Sequence, residues 1–278
     1  MPWLPDLEAA RLLYPPKEPR AARMPFFGGI RELDSETLAA SFAAEPLIDD
    51  PRHGRIASRG AFDAYVSSMR DWLRDQTAGQ VDPVRLTLTA SRSVEEVSVR
   101  LRGEHPELPV AIVTELAEDG RLIAIRVYHS LWPLSFRHRV RPPILGPDPA
   151  IRLQGSPADY QRGLAAGDAD AVVASFEPDA TVREPSGGPF TYSGDAHRGI
   201  YDLMFANGGG IPLKFCTVTD DGVACAIEYI CDRWGRDPIP PQAGVAIYER
   251  GTSGRLAAAR IYDDVEPPAS SDSSANVE

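Results

Sequence analysis

The spacing of apolar residues changes twice along this chain, and the second change repeats the first. Between residues 156 and 206 they recur at helical spacing, and between 211 and 263 they gather in β-branched, strand-like stretches. Ser156-Pro157-Ala158-Asp159 reads as a helix start, with a serine N-cap, proline at the first helical position and an acid facing the N-terminal dipole. That helix runs to Ala166, and Gly167 ends it. Asp168 caps a second helix with Ala171, Val172 and Phe176 on its apolar side, and Pro178 breaks it. A short strand over 179–184 stops at Pro185 and the Gly187-Gly188 turn, and a third helix over 196–206 is closed by Gly208-Gly209-Gly210. Four strands follow, at 211–219, 223–234, 242–250 and 256–263, with turn residues at 220–222 and 251–254 between them. Helices grouped ahead of a meander predict an α+β domain, a curved antiparallel sheet wrapped around a helix.

The first half shows the same order: a helix over 61–75, then strands at 84–89, 94–102, 109–115 and 122–129. Its opening helix is the weak point. Pro25 and Gly28-Gly29 flank Phe26 and should break a helix there, so residues 6–14 are the better helical stretch. The two halves also match directly. DSETLAASF at 34–42 becomes DADAVVASF at 168–176, and GRLIAIRVY at 120–128 becomes GRLAAARIY at 254–262. Both pairs are offset by 134 residues (168 − 34 and 254 − 120), so a whole domain has been duplicated. The expected organisation is an N-terminal extension over 1–20, a first and more divergent domain over 21–136, a linker over 137–152, a second domain over 153–265 and a disordered tail over 266–278.

A formal charge of −11 argues against nucleic acid and anionic membranes as partners, and no apolar run approaches a membrane span. One basic cluster, Arg137, His138, Arg139 and Arg141, lies between the halves and reads as a linker gripping a domain surface. Three cysteines without a C-x-x-C pair and five scattered histidines give neither a disulfide framework nor a zinc site. No secretory signal is visible, and buried thiols in a reducing cytoplasm are the expectation.

The element order, together with YxxxLxxGDxDAVVxxFxPDAxVxEPxGG in the second half, resembles the SnoaL-like and ketosteroid-isomerase-like proteins of the nuclear-transport-factor-2-like superfamily. The resemblance spans 157–265 and, more weakly, 31–134. It implies an α+β fold of two tandem cone-shaped barrels, with no cofactor and no metal. Members commonly dimerise through the outer sheet face, so a tandem chain is expected to be a monomer that acts as an intrachain pseudo-dimer. The resemblance also places a general base before the first-strand proline, at Glu184, with Asp50 as its weaker counterpart. An oxyanion tyrosine falls at Tyr160, where the first half has Phe26. The family's protonated acid is missing, because Ala246 and Ile112 stand in its place. An acid on the final strand, as in SnoaL-type cyclases, is matched by Asp263, with His129 opposite it in the first half. A carboxylate in an apolar cavity has its pKa raised toward working pH, and a nearby phenol can stabilise the oxyanion formed when it removes a proton.

Strand parity directs Tyr229, Cys231, Ala257, Ala259, Ile261 and Asp263 inward and Glu228, Arg260 and Tyr262 outward. Tyr201, Tyr229, Trp234 and Ile261 are the expected pocket lining. Each acid also has a plain reading: Glu184 and Asp50 as solvated turn residues before proline, Asp263 as a strand terminus. Two functions remain open from the sequence. One is a cofactor-independent lyase, isomerase or cyclase acting on a small, largely apolar carbonyl or polyketide-like compound, with epoxide hydrolysis by Glu184 and Asp263 as a variant. The other is a non-catalytic ligand-binding or scaffold protein. The second half is where activity is expected.

Overall fold

A computed structural model describes residues 25–103, 107–183, 191–192 and 195–265. The main parts of two compact units divide at Phe136/Arg137. The first unit runs α1 (Phe26–Glu32), α2 (Ser35–Ala39), β1 (Ile48–Asp50), β2 (Gly54–Ile56), α3 (Arg59–Gln76), β3 (Thr77–Leu88), β4 (Arg92–Leu101), β5 (Leu108–Leu116), β6 (Leu122–Tyr128) and α4 (Trp132–Ser135). The second runs α5 (Gly155–Ala166), α6 (Ala169–Ala174), β7 (Phe176–Arg183), β8 (Thr191–Tyr192), α7 (Asp195–Met204), β9 (Leu213–Asp220), β10 (Ala224–Trp234), β11 (Asp237–Arg250) and β12 (Leu256–Tyr262).

The two sheets have one topology. Their strand orders are β2-β1-β6-β5-β4-β3 and β8-β7-β12-β11-β10-β9. In each, the first strand lies parallel to the last and the rest is an antiparallel meander. The offset of 134 survives at the level of single pairs: Thr114 faces Ile125 as Tyr248 faces Ala259, and Ala111 faces Tyr128 as Val245 faces Tyr262. The helix caps repeat too. Asp34 accepts from Thr37 N at 2.7 Å, and Asp168 accepts from Ala171 N at 2.9 Å. Each cap satisfies an amide that the helix cannot, worth about 1 kcal/mol. The fold is therefore α+β, two tandem cone-shaped barrels whose helices pack on curved sheets.

Each unit has its own core. In the second, alternate residues of β10 (Cys225, Ile227, Tyr229, Cys231) and β12 (Ala259, Ile261) pack with Tyr160, Leu164, Val172 and Phe176 from the helices and β7. This is the inward parity that period-2 alternation predicts. On the opposite face, Arg183 donates to the Tyr262 hydroxyl at 2.5 Å, Arg260 pairs with Glu249, and Glu228 accepts from the Thr217 hydroxyl. Residues 138–141 are bonded to the rest of the second unit. Arg139 N and the His138 imidazole both meet the buried Asp264 carboxylate, at 2.8 and 3.0 Å, and Arg141 O accepts from Ala243 N.

Three local expectations are corrected. Pro25 and Gly28-Gly29 do not prevent α1. Two glycines cost a helix about 2 kcal/mol, whereas burying Phe26, Phe27 and Ile30 returns about 2 kcal/mol each, and Pro25 sits at the N-cap where it breaks no helical bond. Ser156 is not an N-cap: α5 starts two residues earlier, at Gly155 with Gln154 as its N-cap, and the Ser156 hydroxyl is buried without a hydrogen bond. Pro178 does not end α6, which stops at Ala174; it lies within β7, where a register irregularity against β12 accommodates it. The expected helix over 6–14, the N-terminal extension and the tail lie outside the described residues. No helix among the described residues is long and apolar enough to cross a membrane.

Candidate functional site

The second unit carries a cluster of tyrosines, one of which bonds a half-buried carboxyl. Tyr229 enters from β10 and pairs across the sheet with Gly244. A Cβ at Gly244 would fall 2.6 Å from the Tyr229 ring, so the absence of a side chain there is what lets the ring lie across β11. So placed, the Tyr229 hydroxyl donates to Asp263 Oδ2 at 2.6 Å, just beyond the end of β12. Burial pushes Asp263 up to about 6; hydrogen bonds from Tyr229 and from Val265 N oppose the shift, and the neighbouring Asp264 adds to it. The residue nonetheless stays partly exposed, as does Ile261 on the same face, so solvent reaches this edge of the core.

Tyr160, from α5, stands at the centre of the aromatic cluster. Its ring lies 4.9 Å from Tyr248, 5.5 Å from Phe176 and 6.1 Å from Tyr201. Tyr201 donates to the Tyr160 hydroxyl at 3.2 Å, which leaves the Tyr160 proton to be offered onward. Burial raises Tyr160 to about 12, so it remains a donor at any working pH. Gln161 Nε2 donates to the Tyr248 hydroxyl at 2.7 Å. Tyr248 lies within electrostatic reach of both Tyr160 and Asp263, which joins the two halves of the cluster. Trp234 is partly buried and donates to Met204 O at 2.9 Å, tying β10 to α7. Cys231 has its thiol pushed up to about 12, mainly by burial and then by Asp263, which leaves it protonated and unreactive.

Of the expected second-half residues, Tyr160, Tyr201, Tyr229, Trp234, Ile261 and Asp263 all pack in or against this core. Glu184 lies outside the described residues. Sequence reasoning passed over Tyr248, Gln161 and His197. Tyr248 is two residues beyond Ala246 on β11, so the parity that selected Ala246 also selects it. His197 is one helical turn before Tyr201, buried against Phe176 at 4.3 Å, and its Nε2 has no hydrogen bond; burial holds its pKa below the usual range and keeps it neutral.

The first unit is differently equipped. Phe26 supplies no hydroxyl, but Tyr65 from α3 does, reaching Asp50 Oδ2 at 3.3 Å. Asp50 Oδ1 accepts from Arg52 N at 2.8 Å, His53 N at 3.1 Å and His53 Nδ1 at 3.0 Å. Burial opposes its charge, but the His53 bond, the charges of His129 and His53 and the Arg52 amide prevail and hold it down at about 2. The turn acid before proline is therefore a buried, ionised carboxylate. His129, whose Nδ1 meets Ser130 O at 3.0 Å, is the residue equivalent to Asp263, and it acts on Asp50 across the first barrel. Glu95, on the core side of β4, accepts from Phe26 N at 3.4 Å, at the start of α1. Among the described residues no group of three histidine, cysteine or acidic side chains is arranged to hold a metal ion.

No protein-family model matches the chain, and no curated protein does. Solved structures do align with it, each over a stretch the size of one repeat. An NTF-2 like protein of unknown function from Burkholderia xenovorans LB400 is 22% identical, with 44% of this chain and 91% of that one covered and a TM-score of 0.32. A SnoaL-like protein of unknown function from Burkholderia thailandensis E264 is 12% identical, covering 38% and 88%, with a TM-score of 0.31. The epoxide hydrolase/cyclase-like enzyme SalBIII, described for pyran ring formation in the polyether salinomycin, is 20% identical, covering 39% and 87%, with a TM-score of 0.33. The assignment of fold rests on the two sheets themselves.

Proposed function

We propose that the second repeat is a cofactor-independent acid–base enzyme, of isomerase, lyase or cyclase type, acting on a small and largely apolar carbonyl compound. The observation that carries this reading is the Asp263 carboxyl, bonded to Tyr229 at 2.6 Å and raised to about 6 by burial. A carboxylate with that pKa is mostly ionised near neutral pH yet basic enough to take a proton from carbon next to a carbonyl. Tyr160 is the donor for the enolate oxygen, and Tyr201, which donates to it, makes that hydroxyl a better donor by polarising the chain. Partly buried Ile200, Met204, Phe205 and Ile261 around the cluster favour an apolar substrate over a charged one. Glu184 is the second carboxylate of this proposal. Its counterpart Asp50 feels His129, the counterpart of Asp263, in the first repeat. Two such acids acting together would also suit epoxide opening.

The experiment is α-hydrogen exchange. A panel of linear and cyclic ketones is incubated in D2O with the full chain, and loss of the α-proton signals is followed by NMR. Exchange of at least one ketone by the wild type, reduced ~100-fold or more in Asp263→Asn, supports the proposal. Exchange that is equal in the two proteins removes Asp263 from it. Glu184→Gln tests the second acid in the same assay.

A further inference from the structure

We propose that the first repeat carries a separate nucleophilic site, in which Ser68 is activated by His53 and Asp50 for attack on ester carbonyls. The geometry is a relay of three side chains. Asp50 Oδ1 lies 3.0 Å from His53 Nδ1, and His53 Nε2 lies 3.0 Å from Ser68 Oγ. In the neutral imidazole Nδ1 carries the ring hydrogen, because a carboxylate only accepts, and Nε2 is then the acceptor for the Ser68 hydroxyl. That is the proton arrangement a serine nucleophile needs: a base on its oxygen, oriented by a third group.

The elements that hold the relay are rigid. Asp50 closes β1, and the Pro51-Arg52-His53 turn folds back so that the same oxygen takes the amides of Arg52 and His53. The imidazole stands edge-on against Tyr65 at 5.1 Å and 89°, and Tyr65 also bonds Asp50 Oδ2. Ser68 lies three residues beyond Tyr65 on α3, so both fall on one helix face. Burial is graded in the useful direction. The Asp50 side chain is 2% exposed and that of His53 21%, while Ser68 is exposed to solvent and to any ester. A cation packs beside the relay. The Arg52 guanidinium lies 4.6 Å over Trp72, one turn past Ser68 on the same face, and its Nη1 is buried with no hydrogen-bond partner.

The reaction is acyl transfer to water. Ser68 Oγ bonds the carbonyl carbon as its proton passes to His53 Nε2. The carbon–oxygen bond to the alcohol breaks, and that alkoxide takes the proton from His53. Water then attacks the acyl-serine, gives its proton to His53, and the carboxylic acid leaves as Ser68 regains a proton. Asp50 stays ionised throughout and acts as the positioning residue. None of these residues belongs to the Asp263 cluster, so the fate of one site does not decide the other.

The test is labelling of the full chain with a fluorophosphonate, read by peptide mass spectrometry. Ser67 is a built-in control, since it is on the same helix and exposed, with no histidine bond among the described residues. The expected result is one adduct, at Ser68. It disappears in Ser68→Ala, persists in Ser67→Ala, and forms ~100-fold or more slowly in His53→Gln with unchanged circular dichroism. Alanine is favourable at both exposed helical positions, so these two variants fold. No adduct on the wild type, or labelling at Ser67 equal to that at Ser68, overturns the proposal.

Discussion

The Tyr229 hydroxyl donates to Asp263 Oδ2, and this bond is the largest of the interactions that oppose the burial raising the acid to about 6. Removing it in Tyr229→Phe therefore moves the Asp263 titration upward. With Asp263 as the base, kcat/KM in the ketone exchange assay rises through about pH 6 in the wild type, and the same limb shifts to higher pH in Tyr229→Phe. An unshifted limb would show that another group controls it.

Asp263 also makes a prediction about stability. Its folded pKa lies above the ordinary carboxylate value, so the folded state binds the proton more tightly. The protein gains stability as pH falls from about 6 toward 4. The rise from the ordinary carboxylate value to about 6 corresponds to roughly 3 kcal/mol, so Asp263→Asn should stabilise the second unit at pH 7 by up to that amount while losing activity. Urea titration of the two proteins at pH 7 checks this; an Asn variant less stable than wild type contradicts it.

Asp50 behaves in the opposite way. Its carboxylate is held at about 2, below the unfolded value, so it contributes stability above about pH 4 that is lost as pH falls toward 2. Asp50→Asn should cost on the order of 2 kcal/mol at pH 7 and flatten the acid limb of the stability curve. A wild-type acid limb retained in the variant would show that other carboxylates cause it.

Gly244→Ala probes the placement of Tyr229 from the neighbouring strand. The new methyl would meet the ring at 2.6 Å, and the ring must move. Loss of activity together with a raised pH limb, as in Tyr229→Phe, is the expected pair of effects. An ordinary packing defect would lower stability and leave the limb where it was.

The caps offer a matched pair. Asp34→Ala and Asp168→Ala each remove one bond to an otherwise unpaired helix amide, at 2.7 and 2.9 Å. Each should destabilise its own unit by about 1 kcal/mol. Thermal unfolding followed by calorimetry measures both; a cost below a few tenths of a kcal/mol in either would mean that water replaces that cap.

The scaffold was legible in the sequence because its signals are local or periodic. Asp168 and Gly167 mark helix ends by their own backbone chemistry, and parity alone directs Tyr229 and Asp263 to one side. What escaped are relationships across elements. Phe26 reads as a helix breaker's neighbour until its burial is known. Asp50 before Pro51 reads as a solvated turn acid, and only the return of the chain with Tyr65 and His53 shows it buried and bonded. The Tyr65 hydroxyl that replaces the one absent at Phe26 comes from another helix, which no alignment of the halves at a fixed offset can reveal. Pro178 shows the converse: a strong local signal overruled by the sheet around it.

The preserved offset, with Thr114 opposite Ile125 as Tyr248 is opposite Ala259, turns the molecule into its own reference library. A residue moved from one half to the position 134 away meets a backbone of the same register, so chemistry can be exchanged without redesigning the frame. Grafting histidine at 263 or aspartate at 129 asks how much of a site's character belongs to the side chain and how much to the barrel that holds it. Natural pairs of diverged relatives rarely allow that comparison inside one polypeptide, under one set of solution conditions and at a fixed one-to-one ratio.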